Sequence, residues 1–272
     1  MLFRSEFRKD LFKPRQIRQH FVAGTAVALA GSDTTLEAAP GELRITFSPS
    51  DAQVTLTKIG ESSVKVNSGT ALSLPAGAYT LSARTADGFV RNSTLEVTAG
   101  VSRNFDLSLA PSGMSKWGDP GAWKQENGLS VRKGGDFVLY GLSPTSGTFL
   151  FSAMLTKGHR LQWVLNYVDP NNYDLFQIDD NNFYRTHVQN GQKTSDARTP
   201  HKGEKKGFRT LRIHVSPTEI VHEFKQGDSW VVLDRSSLPT SNLSSGRFGF
   251  YIPGGDQVSL ASFHHYLDLN LH

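Results

Sequence analysis

The chain has 272 residues, 38% hydrophobic and 20% charged, enough to bury the core of one large or two modest domains without covalent staples. It contains no cysteine, which excludes disulfides, thiolate metal sites and a cysteine nucleophile. Its net charge of +4 is spread out, with six Lys/Arg against four Asp/Glu in residues 1–40, six against six in 41–111 and seventeen against fifteen beyond, so it lacks the concentrated basic face that displaces counterions from nucleic acid.

Residues 1–20 alternate basic and aromatic side chains. Phe3, Phe7 and Leu11 share a helical spacing, so a short amphipathic helix and a frayed or truncated end both remain open. The apolar stretch Phe21–Ala30 follows basic residues, but it is short, broken by Gly and Thr, and preceded by basic residues scattered from Arg4 to Arg18. It matches neither a bilayer span of about 20 residues nor a clean signal peptide. Val22-Ala23-Gly24 followed by Leu36 and Ala39-Pro40-Gly41 echoes Val97–Gly100 followed by Leu109-Ala110-Pro111 and Gly113. Residues 1–40 are therefore expected to be the end of a unit like the next one.

Residues 41–111 alternate apolar and polar side chains with period two at Leu43–Phe47, Gln53–Thr57, Tyr79–Ala83, Ser93–Val97 and Phe105–Leu109. Leu72–Leu74 adds a short strand before the turn Pro75-Ala76-Gly77, and Asp87-Gly88 makes another turn. About six strands at this spacing predict a small β-sandwich. The turn and core positions Pro49–Ala52, Leu74–Tyr79, Gly88-Phe89, Val97–Gly100 and Leu107–Leu109 resemble a PEGA domain. Asp51 stands where that family usually has Gly. The resemblance implies a non-catalytic module of the bacterial envelope, a spacer or an interaction unit.

Ala110–Gly113 has the composition of a linker. Residues 112–272 then show strand patterns at 137–140, 147–153, 161–167, 173–178, 183–188, 208–215, 220–224, 230–233, 246–251 and 258–267. Ten to twelve short strands with no convincing helix predict two packed antiparallel sheets. Asp169-Pro170-Asn171-Asn172-Tyr173, Leu211–Val215, the hairpin Gly227-Asp228-Ser229-Trp230, Gly246–Phe250 and Phe263 resemble a concanavalin-A-like or laminin-G-like jelly roll. The fold expected is thus all-β: a small PEGA-like β-sandwich plus a larger concanavalin-A-like sandwich.

No Glu-x-Asp-x-Glu strand supplies the carboxylate pair of a retaining glycosidase. Asp179-Asp180 are adjacent and point to opposite sides. No nucleophile elbow or zinc-protease spacing is present. His187, His214 and His222 fall in strand patterns, where a structural role is the commoner one, and His264-His265 alternate, so at most one can meet a ligand. Asp169, Asn171 and Asp174 offer hard oxygen atoms for calcium, though Asp and Asn also simply make such turns.

Sugar recognition needs flat aromatic rings together with amide and guanidinium donors. Gln162, Asn166, Gln177, Arg185 and His187 lie on strands that also carry aromatics and form the predicted ligand face; Trp163 and Phe176 are predicted to fill the core. The basic stretch Lys202–Arg212 could meet acidic glycans or be a solvated loop. These observations predict a non-catalytic periplasmic or cell-surface protein of the bacterial envelope. Its partner would be a glycan or cell-wall polysaccharide, or another envelope protein. Two other readings stay open: a hydrolase related to 3-keto-disaccharide hydrolases, and the sensory part of a membrane-bound signalling protein.

Overall fold

The computed structural model describes residues 39–86, 88–141, 146–157, 160–202, 207–237 and 245–267. The expectations for residues 1–38, for Asp87 and for the centre of the basic stretch, 203–206, lie outside the described residues.

Seven strands build the first sandwich: β1 (Gly41–Ser48), β2 (Gln53–Lys58), β3 (Val64–Val66), β4 (Ala71–Leu74), β5 (Gly77–Arg84), β6 (Val90–Val97) and β7 (Ser102–Ser108). One sheet runs β4-β1-β7 and the other β3-β2-β5-β6. Strict alternation in β1 turns Leu43, Ile45 and Phe47 inward against Leu56, Leu81 and Leu107, all buried. All pairings are antiparallel except β1 with β7, which is parallel. Alternation alone does not distinguish the two directions, because both have period two.

Thirteen strands follow. They are β8 (Lys124–Glu126), β9 (Leu129–Lys133), β10 (Asp136–Leu139), β11 (Gly147–Lys157), β12 (Leu161–Asp169), β13 (Asn172–Ile178) and β14 (Asn182–Gln189), then β15 (Gln192–Pro200), β16 (Arg209–Val215), β17 (Glu219–Gln226), β18 (Ser229–Ser237), β19 (Arg247–Ile252) and β20 (Gln257–Tyr266). They form a six-stranded sheet, β10-β19-β12-β13-β14-β15, and a seven-stranded sheet, β18-β17-β16-β11-β20-β9-β8. Between them lies an aromatic core of Trp117, Phe149, Phe151, Trp163, Phe248 and Phe263. Trp163 and Phe176 are buried in it. The helical content among the described residues is two single turns of 3-10 helix, Met114–Lys116 and Pro120–Ala122, and no helix there is long and apolar enough to cross a membrane.

The core also contains a polar side chain, His222, which is fully buried. Its Nε2 accepts a hydrogen bond of 3.2 Å from Trp163 Nε1, and its ring packs 4.2 Å from that of Phe176. Burial, with the charge of Arg185 adding to it, pushes the imidazole down to about 3. It is thus a neutral acceptor that satisfies a tryptophan donor.

The chain from Ala38 onward is one compact unit. The residues between the sandwiches are bonded into the second one. Ser112 donates its backbone N–H to Phe263 O at 2.8 Å and accepts the N–H of His265 at 3.0 Å on its hydroxyl. Ala110–Gly113, a linker by composition, is thus held to β20 through Ser112.

Candidate functional site

The structure divides the predicted ligand face into two groups. Cross-strand pairing sets Gln162 opposite Gln177 and Gln177 opposite Tyr184, and these three share the outer face of the six-stranded sheet. There Gln177 Nε2 donates to Gln162 Oε1, Arg160 donates to Gln177 Oε1 at 3.1 Å, and the Arg160 guanidinium covers the Tyr184 ring at 4.3 Å. Arg185 instead pairs with Phe176, and His187 with Asp174, so both share the face that looks toward the second sheet. Arg185 Nη1 reaches Asp234 Oδ2 of β18 at 2.8 Å and also bonds Ser236. His187 Nδ1 lies 2.6 Å from Asp174 Oδ1. The five predicted residues therefore do not converge, because Gln177 and Arg185 belong to opposite parities of neighbouring strands.

Asn166 departs from the alternation for a local reason. It adopts φ 51° at an irregularity in the β12 ladder between Leu165 and Asp169. This left-handed step turns its amide onto Asp174 Oδ2 at 2.8 Å. It also flips the next residue. Tyr167, expected beside Trp163 and Leu165, packs on the outer face 4.9 Å from Phe137 and 6.0 Å from Tyr173.

The calcium candidates fall into two separate hydrogen-bond sets. Asp169 Oδ1 accepts the backbone N–H of Asn171 at 2.7 Å, and both its oxygens accept from the Asn172 amide. Those bonds, the Asn172 side chain first, hold its carboxyl below the usual range. Asp174 is engaged by Asn166 and His187. Asn171 contributes its backbone to the turn. Among the described residues no three acidic or histidine side chains gather as a metal-binding group.

A continuous recess lies on the other sheet. The outer face of β16 and β17 brings together Arg212 and Glu223, which are paired across the ladder, with Trp230 opposite Lys225 at the β17–β18 hairpin. Arg212 Nε donates to Glu223 Oε2 at 2.6 Å, and its guanidinium covers Trp230 at 4.3 Å. His214 Nε2 lies 3.2 Å from the same Glu223 oxygen, and its Nδ1 lies 2.8 Å from Thr148 Oγ1. Burial pushes the Glu223 carboxyl up, but the hydrogen bond and charge of Arg212, then those of His214, outweigh it and hold the group below the usual range. Thr210 donates to Ser152 at 3.2 Å on the neighbouring strands.

The first sandwich closes this face into a groove. The turn before β6 brings Phe89 up to β20, where it stacks on His264, and Asn92 of β6 lines the same recess. Between these and Arg212, Lys225, Asp228 and Trp230 lies a cleft of about 440 Å³, floored by Leu150, Ser152, Thr210 and Ser262. That volume falls within the range of about 300–1,000 Å³ usual for small-ligand sites. Its lining combines an indole and a phenyl ring with a guanidinium, an amide and several hydroxyls, the groups that hold a polyhydroxylated ring.

In the sequence, Trp230 and Leu211–Val215 carry the jelly-roll resemblance and Gly88-Phe89 the PEGA one. The usable signal was that Arg212 and His214 share a face. What was missing was the second module that closes it. Of the His264-His265 pair, His264 lines the groove, whereas His265 packs 4.3 Å from Phe149 in the core, where burial lowers its proton affinity.

No known family model and no curated protein matches this sequence. Among solved structures, the chain is similar to carbohydrate-binding module CBM66 from Bacillus subtilis, at 16% identity over 55% of this chain and 94% of that one, with TM-score 0.43. It is similar to a xylan β-1,4-xylosidase from Bacillus halodurans at 11% identity, over 68% of this chain and 46% of that one, with TM-score 0.45. It is also similar to galectin LEC-6 from Caenorhabditis elegans at 14% identity, over 45% of this chain and 86% of that one, with TM-score 0.33.

Proposed function

We propose that this chain is a non-catalytic glycan-binding protein of the bacterial envelope, periplasmic or at the cell surface, whose polysaccharide ligand lies in the groove between the two sandwiches. The observation that carries this reading is the lining of the groove: Trp230 and Phe89 supply apolar ring faces, while Arg212, Asn92 and the hydroxyls of Ser152, Thr210 and Ser262 supply hydrogen bonds. In this reading the PEGA-like module is half of the site as well as a spacer. The non-catalytic assignment is supported by the state of the carboxylates. Asp169, Asp179 and Glu223 are held below the usual range, which suits none of these three to serve as a glycosidase general acid. Glu223 is also already bonded to Arg212 and His214.

Affinity electrophoresis of the whole chain in gels containing different polysaccharides tests this. At least one polymer is expected to retard the protein. Trp230→Ala is expected to weaken that retardation by about thirtyfold, the size of a loss of about 2 kcal/mol at an aromatic anchor, with an unchanged unfolding midpoint. Retardation by no polymer, or by the same amount in Trp230→Ala, overturns the reading. Release of reducing sugar by the wild-type chain overturns the non-catalytic assignment.

A further inference from the structure

We infer that the polysaccharide is an anionic one, and that its charged groups lie in a second cleft continuous with the groove; the inference rests on the glycan-binding reading and narrows it to a ligand class. A cleft of about 430 Å³ is lined by Lys202, Phe208, Thr210, Phe224, Lys225 and Gln226. Thr210 and Lys225 also line the first groove, so the two recesses share a wall, and a linear polymer can occupy both at once.

The second cleft differs from the first in charge. Among the described residues, two lysines line it and no acidic residue does. The lining of the first groove includes the carboxylate of Asp228, and the charge of Arg212 there is already met by Glu223. Among the described residues, neither Lys202 nor Lys225 has a carboxylate partner within salt-bridge distance. Two ammonium groups over one recess repel each other, and an anion between them removes that cost while gaining two charge-assisted hydrogen bonds.

The remaining lining suits a sugar bearing the anion rather than a free ion. Phe208 is 37% exposed, a phenyl ring open to solvent beside the lysines. Thr210 and Gln226 add a hydroxyl and an amide. A ring carrying a carboxylate or a sulfate ester can lay its C–H face on Phe208, turn its hydroxyls to Thr210 and Gln226, and direct its charge to the lysines. Lysine acts as a point charge and does not select the planar geometry of a carboxylate over a sulfate, so the class is anionic sugar residues of either kind.

The test is titration of the full chain with polygalacturonate and dextran sulfate, each against its uncharged counterpart: carboxyl-reduced polygalacturonate and plain dextran. At least one charged polymer is expected to bind about tenfold more tightly than its counterpart, the effect of one charge-assisted contact. That advantage should shrink as salt shortens the Debye length below about 8 Å. Lys202→Gln with Lys225→Gln is expected to bring the ratio of charged to uncharged affinity close to one. Both residues are exposed, so an unchanged unfolding midpoint certifies the fold. Equal affinity for charged and uncharged forms overturns the inference and leaves glycan binding standing. Equally tight binding of single-stranded DNA shows attraction to charge alone and also overturns it. Binding of no polysaccharide, charged or neutral, overturns the glycan reading itself.

Discussion

The imidazole of His264 lies flat against the phenyl ring of Phe89, with centroids 3.9 Å apart and planes 1° from parallel. Phe89 belongs to the small sandwich and His264 to the large one. Beside them, Arg91 donates to Leu267 O at 2.6 Å and covers the Tyr266 ring at 4.4 Å. This cluster sets one wall of the groove, so the fit between the sandwiches and the shape of the site are one property.

Removing the Phe89 ring should therefore weaken docking. Phe89→Ala is expected to cost about 1–2 kcal/mol from lost burial and ring stacking. It should split calorimetric melting into two transitions, because each sandwich keeps its own core. A single transition at the wild-type temperature contradicts this account of the interface.

His222 should make the fold acid-sensitive. Its pKa lies at about 3 in the folded chain against the ordinary 6.5, so between those values the unfolded chain binds a proton that the folded chain refuses. Stability therefore falls as pH drops through that window, by up to about 1.4 kcal/mol per pH unit for this one group. His201 and His265, also lowered chiefly by burial, act in the same direction. His222→Gln keeps an acceptor for Trp163 and is expected to reduce the slope by about one proton in urea titrations at stepped pH. An unchanged slope shows that the buried imidazole is not responsible.

Arg185 and Gln177 should separate stability from binding. Arg185 reaches from β14 to Asp234 on the facing sheet, and the Asp234 side chain is only 9% exposed. Arg185→Ala leaves that carboxylate largely buried with a partner lost, at an expected cost of about 2–3 kcal/mol in chemical denaturation. Gln177→Ala, on the outer face of the other sheet, is expected to leave both stability and polysaccharide retardation near wild type. A selective loss of retardation in Gln177→Ala moves the binding site to that face.

Gly246 should be intolerant of any side chain. A Cβ there would come 2.2 Å from the carbonyl carbon of Asn166, at the left-handed step of β12. Because the obstacle is backbone, the strands themselves must part. Gly246→Ala is expected to cost more than about 2 kcal/mol. Asn166→Gly should be nearly neutral in backbone terms, and its residual cost reports the lost bond to Asp174. Equal stability for Gly246→Ala and the wild type shows that the bulge relaxes.

Long strands with a hydrophobic face were legible because burial imposes period two, as in β1, β5 and β16. Strands without such a face were not. β3 and β8 are three residues each, and β15 (QKTSDARTP) has no apolar stripe because it is a sheet edge held by backbone pairing to β14. The site was partly legible. The alternation within β13 and β14 was read correctly, but which parity of one strand meets which parity of the next depends on register. Register comes from turns, and from the step at Asn166, which a single strand does not reveal. Phe89 stood out in the sequence only through the PEGA resemblance, because nothing local to it shows that β20 lies across from it.

The position of β20 has a further consequence for how the protein is made. Among the described strands it comes last in sequence, yet it lies inside the seven-stranded sheet, between β11 and β9. It also receives the backbone of Ser112 and the ring of Phe89. During synthesis the small sandwich can complete its core as soon as β7 has emerged. The large one must keep β9 and β11 unjoined, with their ladder groups and aromatic residues uncovered, until residues 257–266 leave the ribosome. Such long-range closure is slow. The nascent chain therefore passes through a stage with a finished first module and an open second one, the interval in which it most needs a chaperone.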